Sequence, residues 1–242
     1  RLAPGAPCPP RRARASMDPA RQQILEAHHR QCVEELFDSY ADEFESHLVE
    51  KLRYDIPGIL RRQVPQCHFA SCLDLGCGTG LAGRAFRDSV DRLEGVDLSA
   101  EMLSKAEEHG IYEALHCRDL IAHLRGKPDQ SFDLLLAADV LVYLYSLAPL
   151  FREVARVLSP GGIFAFSTES ALEQEAGGGV VVRASERFAH TRSFILELAA
   201  GFQLVSVEEV TVRMDTNDQD CPVPIKGDAF VLCRTPEVID VS

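Results

Sequence analysis

Three observations predict an α/β fold built on a doubly wound, seven-stranded and mostly parallel sheet. A short apolar run, Cys72-Leu73-Asp74-Leu75, passes directly into closely spaced glycines at Gly76, Gly78 and Gly80 and then into a helix-compatible segment. That is the pattern of a strand, a tight turn and a helix N-terminus, where backbone N–H groups stand open to a polar ligand. Downstream, apolar runs and helical segments alternate, as repeated β-α-β units require. One of those runs, "FDLLLAAD" at 132–139, is apolar at consecutive positions and suits a central strand covered by helices on both faces.

Residues 1–17 form a proline- and arginine-rich tail with four arginines and no acid, a composition that predicts disorder. Met17 is a candidate original start, and the residues before it can equally be upstream, vector or organelle-targeting sequence. Asp18-Pro19 reads as a helix start, with an acid at the cap and proline at the first helical position. Ile24, Leu25, Val33, Leu36 and Phe37, then Tyr40, Phe44, Leu48 and Leu52, recur at helical spacing and predict two amphipathic segments ending near Pro57-Gly58. Residues 18–60 are therefore a helical extension that must dock its apolar faces on the main domain, 61–242. Within that domain strands are expected near 70–75, 92–97, 112–117, 132–138, 162–168, 203–211 and 228–234. Helices are expected near 80–87, 100–108, 118–125, 147–157 and 191–200. Leu158-Ser159-Pro160-Gly161-Gly162 predicts a sharp turn. The late runs "VEEVTVR" and "DAFVLCR" alternate in polarity and predict an antiparallel pair at one edge.

Composition bounds the function. At 242 residues and 46% hydrophobic, the chain can bury one substantial core. Acidic residues number 37 against 25 basic, a formal charge of −12. Beyond the tail the sequence shows no concentrated basic face of the kind that nucleic acid or an anionic membrane needs. No apolar stretch approaches the roughly 18 residues of a membrane span. The eight cysteines include no C-x-x-C pair, and Cys72, Cys117 and Cys233 fall inside apparent core strands. They read as buried free thiols in a reducing, cytoplasmic setting, or an organellar one if the tail is a targeting remnant. The eight histidines show no H-E-x-x-H or other tight metal spacing, so no metal is expected.

The glycine turn admits two nucleotide readings. Gly78, Gly80 and Gly83 satisfy the G-x-G-x-x-G spacing of a dinucleotide site, which would make the chain a nicotinamide-dependent oxidoreductase. Asp74 argues against a pyrophosphate, because a carboxylate so near the turn would repel it while tolerating a cationic or zwitterionic ligand. Asp97 ends the next apolar run, where a carboxylate can accept from both hydroxyls of a ribose or cap the helix beginning near Ala100.

With Asp74, Gly76, Cys77, Gly78, Gly80 and Asp97 together, "LDLGCGTG" resembles the first motif of the class I S-adenosylmethionine-dependent methyltransferases. The resemblance implies a Rossmann-like fold with S-adenosyl-L-methionine as cofactor. Asp97 would then hold the ribose, Leu98 and Met102 would lie beside the adenosine, and Asp119 with the backbone N–H of Leu120 would reach the adenine. Asp139 ends "LLLAAD" at the carboxyl rim, where the donor would face its acceptor. The "NPPY" or "DPPY" segment of many amide and adenine methyltransferases is absent, which argues against those acceptors.

The segments "LFDSYADEFESHLVEKLRYDIP", "ADVLVYL", "FAFSTE" and "RFAHTRSFILELAAGF" extend the resemblance over about 35–234, to a subgroup of small methyltransferases sometimes fused to tetratricopeptide repeats. By that likeness Tyr40 would approach the methionine end of the cofactor from the helical flap. His47 and His190 would line the acceptor pocket and assist deprotonation, an imidazole of pKa about 6.5 being suited to that task. The expected activity is methyl transfer to a hydroxyl or amine of a small molecule by in-line displacement. A protein side-chain acceptor and a catalytically silent, partner-stabilising subunit stay open beside it.

Overall fold

A computed structural model describes residues 19–41, 54–144, 146–216 and 221–236. The second amphipathic segment of the extension, with His47, and the arginine-rich tail lie outside the described residues. Among the described residues, nine strands and seven α-helices follow in the order α1 (Pro19–Tyr40), α2 (Ile56–Gln63), β1 (Phe69–Leu75), α3 (Leu81–Phe86), β2 (Val90–Asp97), α4 (Ala100–Glu108), β3 (Ala114–Cys117), α5 (Leu120–Arg125), β4 (Phe132–Ala137), α6 (Ala148–Val157), β5 (Leu158–Ser170), β6 (Val180–Val182), β7 (Phe188–His190), α7 (Arg192–Leu198), β8 (Phe202–Thr216) and β9 (Pro222–Arg234).

β3, β2, β1, β4 and β5 are parallel neighbours in that order, and β9 pairs antiparallel with β5 and β8 with β9. The chain reverses its direction of travel across the sheet between β1 and β4, the switch point at which open α/β sheets bind ligands. The expected mostly parallel sheet with antiparallel late strands is present, with two strands more than the seven read from the sequence. The additional pair, β6 and β7, is a hairpin of two three-residue strands, too short to leave a periodic signal. β7 joins Glu169 and Ser170 of β5 on the side that β4 occupies lower down. The hairpin thus stands beyond the carboxyl end of β4.

Pro57-Gly58 does not end a helix. It lies in the first turn of α2, where proline's missing N–H is harmless and its fixed φ suits the helix. Both sheet faces are covered. One core gathers Leu73, Leu75, Leu135, Phe151, Phe164, Phe166 and Phe230, and the other gathers Ile56, Leu60, Phe86, Leu93, Leu134, Leu136 and Val231. Consecutive residues of β4 serve opposite cores, which is why "FDLLLAAD" is apolar throughout. Phe166 stacks on Phe164 at 4.5 Å and on Phe230 at 5.1 Å between ring centroids.

The seven described cysteines carry free thiols. Cys72 is buried in central β1, Cys233 is half-buried and Cys117 is exposed. Cys117 departs from the sequence reading because β3 is the edge strand, with no strand beyond it among the described residues.

α1 lies across the carboxyl rim. Arg30 Nη1 reaches Asp119 Oδ2 at 3.2 Å, Asp38 Oδ1 accepts from Ser99 Oγ at 2.5 Å, and His29 Nε2 meets the Tyr143 carbonyl at 3.0 Å. Phe37 packs edge-on against Tyr143 with centroids 5.2 Å apart.

Candidate active site

The loops after β1 and β4 meet at the switch point. Gly76 leaves β1 with φ 64°, and a Cβ there would come within 2.3 Å of Val140 Cγ2. Only glycine allows both the left-handed turn and this approach. Gly83 serves a different neighbour. An added Cβ would meet the Tyr112 hydroxyl at 2.2 Å, and that hydroxyl donates to Asp74 Oδ2 at 2.8 Å. The third glycine of the apparent dinucleotide spacing therefore makes room for the tyrosine that holds Asp74. Burial pushes the Asp74 carboxyl up to about 7 against the pull of the Tyr112 bond, and Oδ1 has no hydrogen-bond partner among the described residues.

Asp97 ties the glycine turn to the end of β2. Its Oδ2 accepts from Gly78 N at 2.8 Å and its Oδ1 from Ser99 N at 3.0 Å. Each oxygen keeps a lone pair for a further donor. Burial raises its pKa although these N–H groups oppose the shift. Asp119 caps α5 by accepting from Ala122 N at 2.8 Å, so the capping role coexists with its place at the rim.

These groups border one cavity of about 660 Å³, which runs from Asp119 and Leu120 past Asp97, Leu98 and the Gly76–Thr79 turn to Asp139. At its far end stand Tyr54, Tyr143, Arg187 and Arg213. Asp139 holds φ 59°, a left-handed conformation that costs a non-glycine residue free energy and concentrates at functional sites. Its N–H donates to Ser167 Oγ at 2.8 Å, and its buried Oδ1 has no partner among the described residues. Burial pushes the Asp139 carboxyl up to about 6, against the attraction of Arg187. Arg187 lies over the Tyr143 ring at 5.0 Å and 3.5 Å from Glu169 Oε1. Arg213 pairs with the same carboxylate oxygen. Although burial works against its charge, the Arg187 guanidinium is held cationic by Tyr143, Asp139 and Glu169.

Residues 73–166, which contain the switch point, match the family described as methyltransferase domain. A solved S-adenosylmethionine-dependent methyltransferase from Mesorhizobium loti superposes with TM-score 0.56 at 26% identity, over 73% of this chain and 96% of that one. The chain carries a class I S-adenosylmethionine-dependent methyltransferase domain.

The malonyl-[acyl-carrier protein] O-methyltransferase of Enterobacter lignolyticus (strain SCF1) is 30% identical over 142 residues, 59% of this chain and 55% of that protein. The ubiquinone biosynthesis O-methyltransferase of Sodalis glossinidius (strain morsitans) is 30% identical over 100 residues, 40% of each chain. The chain spans about half the length of the malonyl-carrier relatives it matches. A Haloferax volcanii methyltransferase solved with the Trm112 activator shares the fold at TM-score 0.65 and 19% identity, over 84% of this chain and 98% of that one.

S-adenosylmethionine is the cofactor of this domain, and the cavity fits it: an acidic β2 end for a ribose, a glycine turn, and a partnerless carboxylate oxygen toward the acceptor end. Of the methyltransferase domain's expected site residues, Gly76, Cys77, Gly78, Asp97, Leu98, Asp119, Leu120 and Asp139 line the cavity. Asp74, Gly80, Met102 and His190 do not. Asp74 lies behind the turn, engaged by Tyr112. Gly80 caps α3 and faces Tyr112 and Ala106. Met102 sits on the inward face of α4 with Leu103 and Ala106.

His190 is buried in β7, stacked parallel to Phe194 with centroids 6.1 Å apart. Burial pushes it down to about 4, and its Nδ1 has no partner among the described residues. The Tyr40 side chain and all of His47 lie outside the described residues. Tyr54, Arg187 and Arg213 went unread as site residues. The one sequence signal for the two arginines is a cation interrupting an apolar or alternating segment, in "ERFAH" and "VTVR". No helix among the described residues is long and apolar enough to cross a membrane.

Proposed function

We propose that the protein transfers the methyl group of S-adenosylmethionine to an oxygen or nitrogen of a small anionic molecule. One observation carries the choice of acceptor: Arg187 and Arg213 both face the cavity beyond Asp139 and share a single carboxylate, Glu169, which is 1% exposed and lies behind them. The two guanidiniums stand against the Glu169 carboxylate and, when it is ionised, that of Asp139, so what favours an anionic acceptor is the pair of N–H forks turned to the cavity, which suit carboxylate and phosphate oxygens. Asp215 approaches Arg213 only to 3.9 Å and is half exposed. Relatives that include O-methyltransferases of a carrier-bound malonyl group and of ubiquinone biosynthesis support oxygen as the acceptor atom.

S-adenosylmethionine supplies an electrophilic methyl group and its own leaving group. The chain supplies position and a proton acceptor. Asp97, Leu98, Asp119 and Leu120 hold the nucleoside, and the Gly76–Thr79 turn leads toward Asp139. Arg187 and Arg213 orient the acceptor's anionic end, and the Tyr54 and Tyr143 rings exclude water. Asp139, ionised at neutral pH and with an oxygen that has no partner among the described residues, takes the acceptor's proton. Positioning by such groups supplies much of the rate in a direct displacement. This role passes to Asp139 from the histidines, since His190 lies outside the cavity lining.

The test is S-adenosylhomocysteine release from a panel of small carboxylates and phosphates paired with their neutral amides or esters. Wild type should prefer the anions, and Arg187→Met should raise their KM at least tenfold while leaving donor affinity unchanged. Equal turnover of neutral analogues by both proteins would remove the anion-binding role. Donor binding without turnover of any acceptor favours the partner-stabilising alternative.

A further inference from the structure

At the β3 edge of the sheet, three side chains distant in sequence converge. Glu94 on β2, His116 on β3 and His123 on α5 each offer one ligand atom, and these atoms lie within 4.8 Å of one another. The two imidazole rings face each other with centroids 4.5 Å apart and planes inclined by 39°. Nε2 of both rings is buried and has no hydrogen-bond partner among the described residues. His116 Nε2 stands 3.5 Å from Glu94 Oε2. His123 is 4% exposed, so solvent does not satisfy its nitrogen. A buried polar atom left unpaired costs about 1–3 kcal/mol, and two such atoms on facing rings beside one carboxylate leave room for a shared partner.

We propose that Glu94, His116 and His123 form a binding site for a divalent metal ion of the zinc class. Two neutral imidazoles and one carboxylate are a donor set that zinc accepts, with water completing a tetrahedral shell, whereas magnesium and calcium take oxygen ligands almost exclusively. Lys127 Nζ lies 2.5 Å from Glu94 Oε2 and competes with the metal for that carboxylate. The consequence reaches the cavity through α5, which carries His123 in its last turn and begins at Asp119 and Leu120. A metal here ties that helix to β2 and β3 beside the nucleoside end.

The experiment titrates chelator-treated full-length protein with Zn²⁺ by calorimetry and with Co²⁺ by visible absorption, in wild type, His116→Gln, His123→Gln and Lys127→Met. S-adenosylhomocysteine binding reports the folding of each variant. Wild type should bind one equivalent of Zn²⁺ at this site and give the visible bands of tetrahedral Co²⁺. Each histidine variant should weaken Zn²⁺ at least tenfold and lose the bands, and Lys127→Met should tighten Zn²⁺ because the competing ammonium is gone. Three results would overturn the assignment: no stoichiometric binding by wild type, an unchanged Co²⁺ spectrum in the histidine variants, or equal Zn²⁺ affinity in Lys127→Met. The last decides the matter even if a histidine variant fails to fold.

Discussion

Asp139 makes donor binding depend on pH in a calculable way. With a pKa of about 6 in the free protein, roughly a tenth of Asp139 is ionised at pH 5. A cationic donor beside the partnerless Oδ1 should restore an ordinary carboxylate value of about 4. The free protein must then release a proton to bind, and affinity at pH 5 should be roughly tenfold lower than at pH 8, about 1.4 kcal/mol. Arg187, Arg213 and Glu169 face Asp139, as do Tyr54 and Tyr143. Arg187, Tyr54 and Tyr143 are all shifted upward from ordinary values that already lie above pH 8. Calorimetry with S-adenosylmethionine at the two pH values, for wild type and Asp139→Asn, reads the effect directly. The amide keeps the side chain's size and removes the titration, so the affinity ratio should shrink well below that of wild type. S-adenosylhomocysteine, which lacks the sulfonium charge, should show a shallower dependence. If Asp139→Asn keeps the full wild-type ratio, the carboxylate does not face the donor's positive charge.

Asp97→Ala removes the acceptor for Gly78 N and Ser99 N together with any ribose bond, and should weaken donor binding by about 1.5 kcal/mol or more, at least tenfold; unchanged affinity in a folded variant would end the ribose role. Asp74 affects stability instead. Its folded pKa of about 7 exceeds the ordinary aspartate value of about 3.8, so its contribution is full below about pH 4 and is lost as pH rises through 7. Urea unfolding of wild type should lose on the order of 1.4 kcal/mol per pH unit from this group between pH 5 and 7. Asp74→Asn should flatten that slope, and an identical slope in the variant would rule Asp74 out as its source. Phe166→Ala, emptying the stack between Phe164 and Phe230, should cost about 3–5 kcal/mol in the same assay; a loss under 1 kcal/mol would mean the aromatic layer is not tightly packed.

Local patterns were legible because their causes are local. The Gly76–Gly80 turn, Asp97 and Asp139 are set by strand ends and hydrophobic runs a few residues long, and the sequence placed all of them on one rim. Asp74 was recognised as unusual, but its partner Tyr112 comes from the segment between α4 and β3, so the turn's far side could not be read. Met102 and Leu98 stood close together in the motif, yet helical periodicity sends Met102 into the core while Leu98 borders the cavity. His190 drew attention through its glycine-rich surroundings. Its direction is set instead by β7 pairing with the end of β5, a contact that no local period encodes. Arg187 and Arg213 lie on two different hairpins and acquire a joint meaning only through Glu169, which strand β5 carries between them. The cluster of Glu94, His116 and His123 was hidden for the same reason: spacing rules find ligands within one turn or loop, and these three sit on separate elements.

The fork in β5 divides responsibility along a single strand. Over its middle, β5 is bound by β4 and β9 and belongs to the body of the sheet. At Glu169 and Ser170 it exchanges β4 for β7, and the short hairpin grafted there brings Arg187 over the cavity without disturbing a residue of the donor rim. On the proposed reading, one of the two arginines that orient the acceptor, Arg187, is thereby carried by the segment 171–190, and the other, Arg213, by β8. Replacing that segment with one of different charge would alter acceptor preference while the nucleoside end kept its affinity.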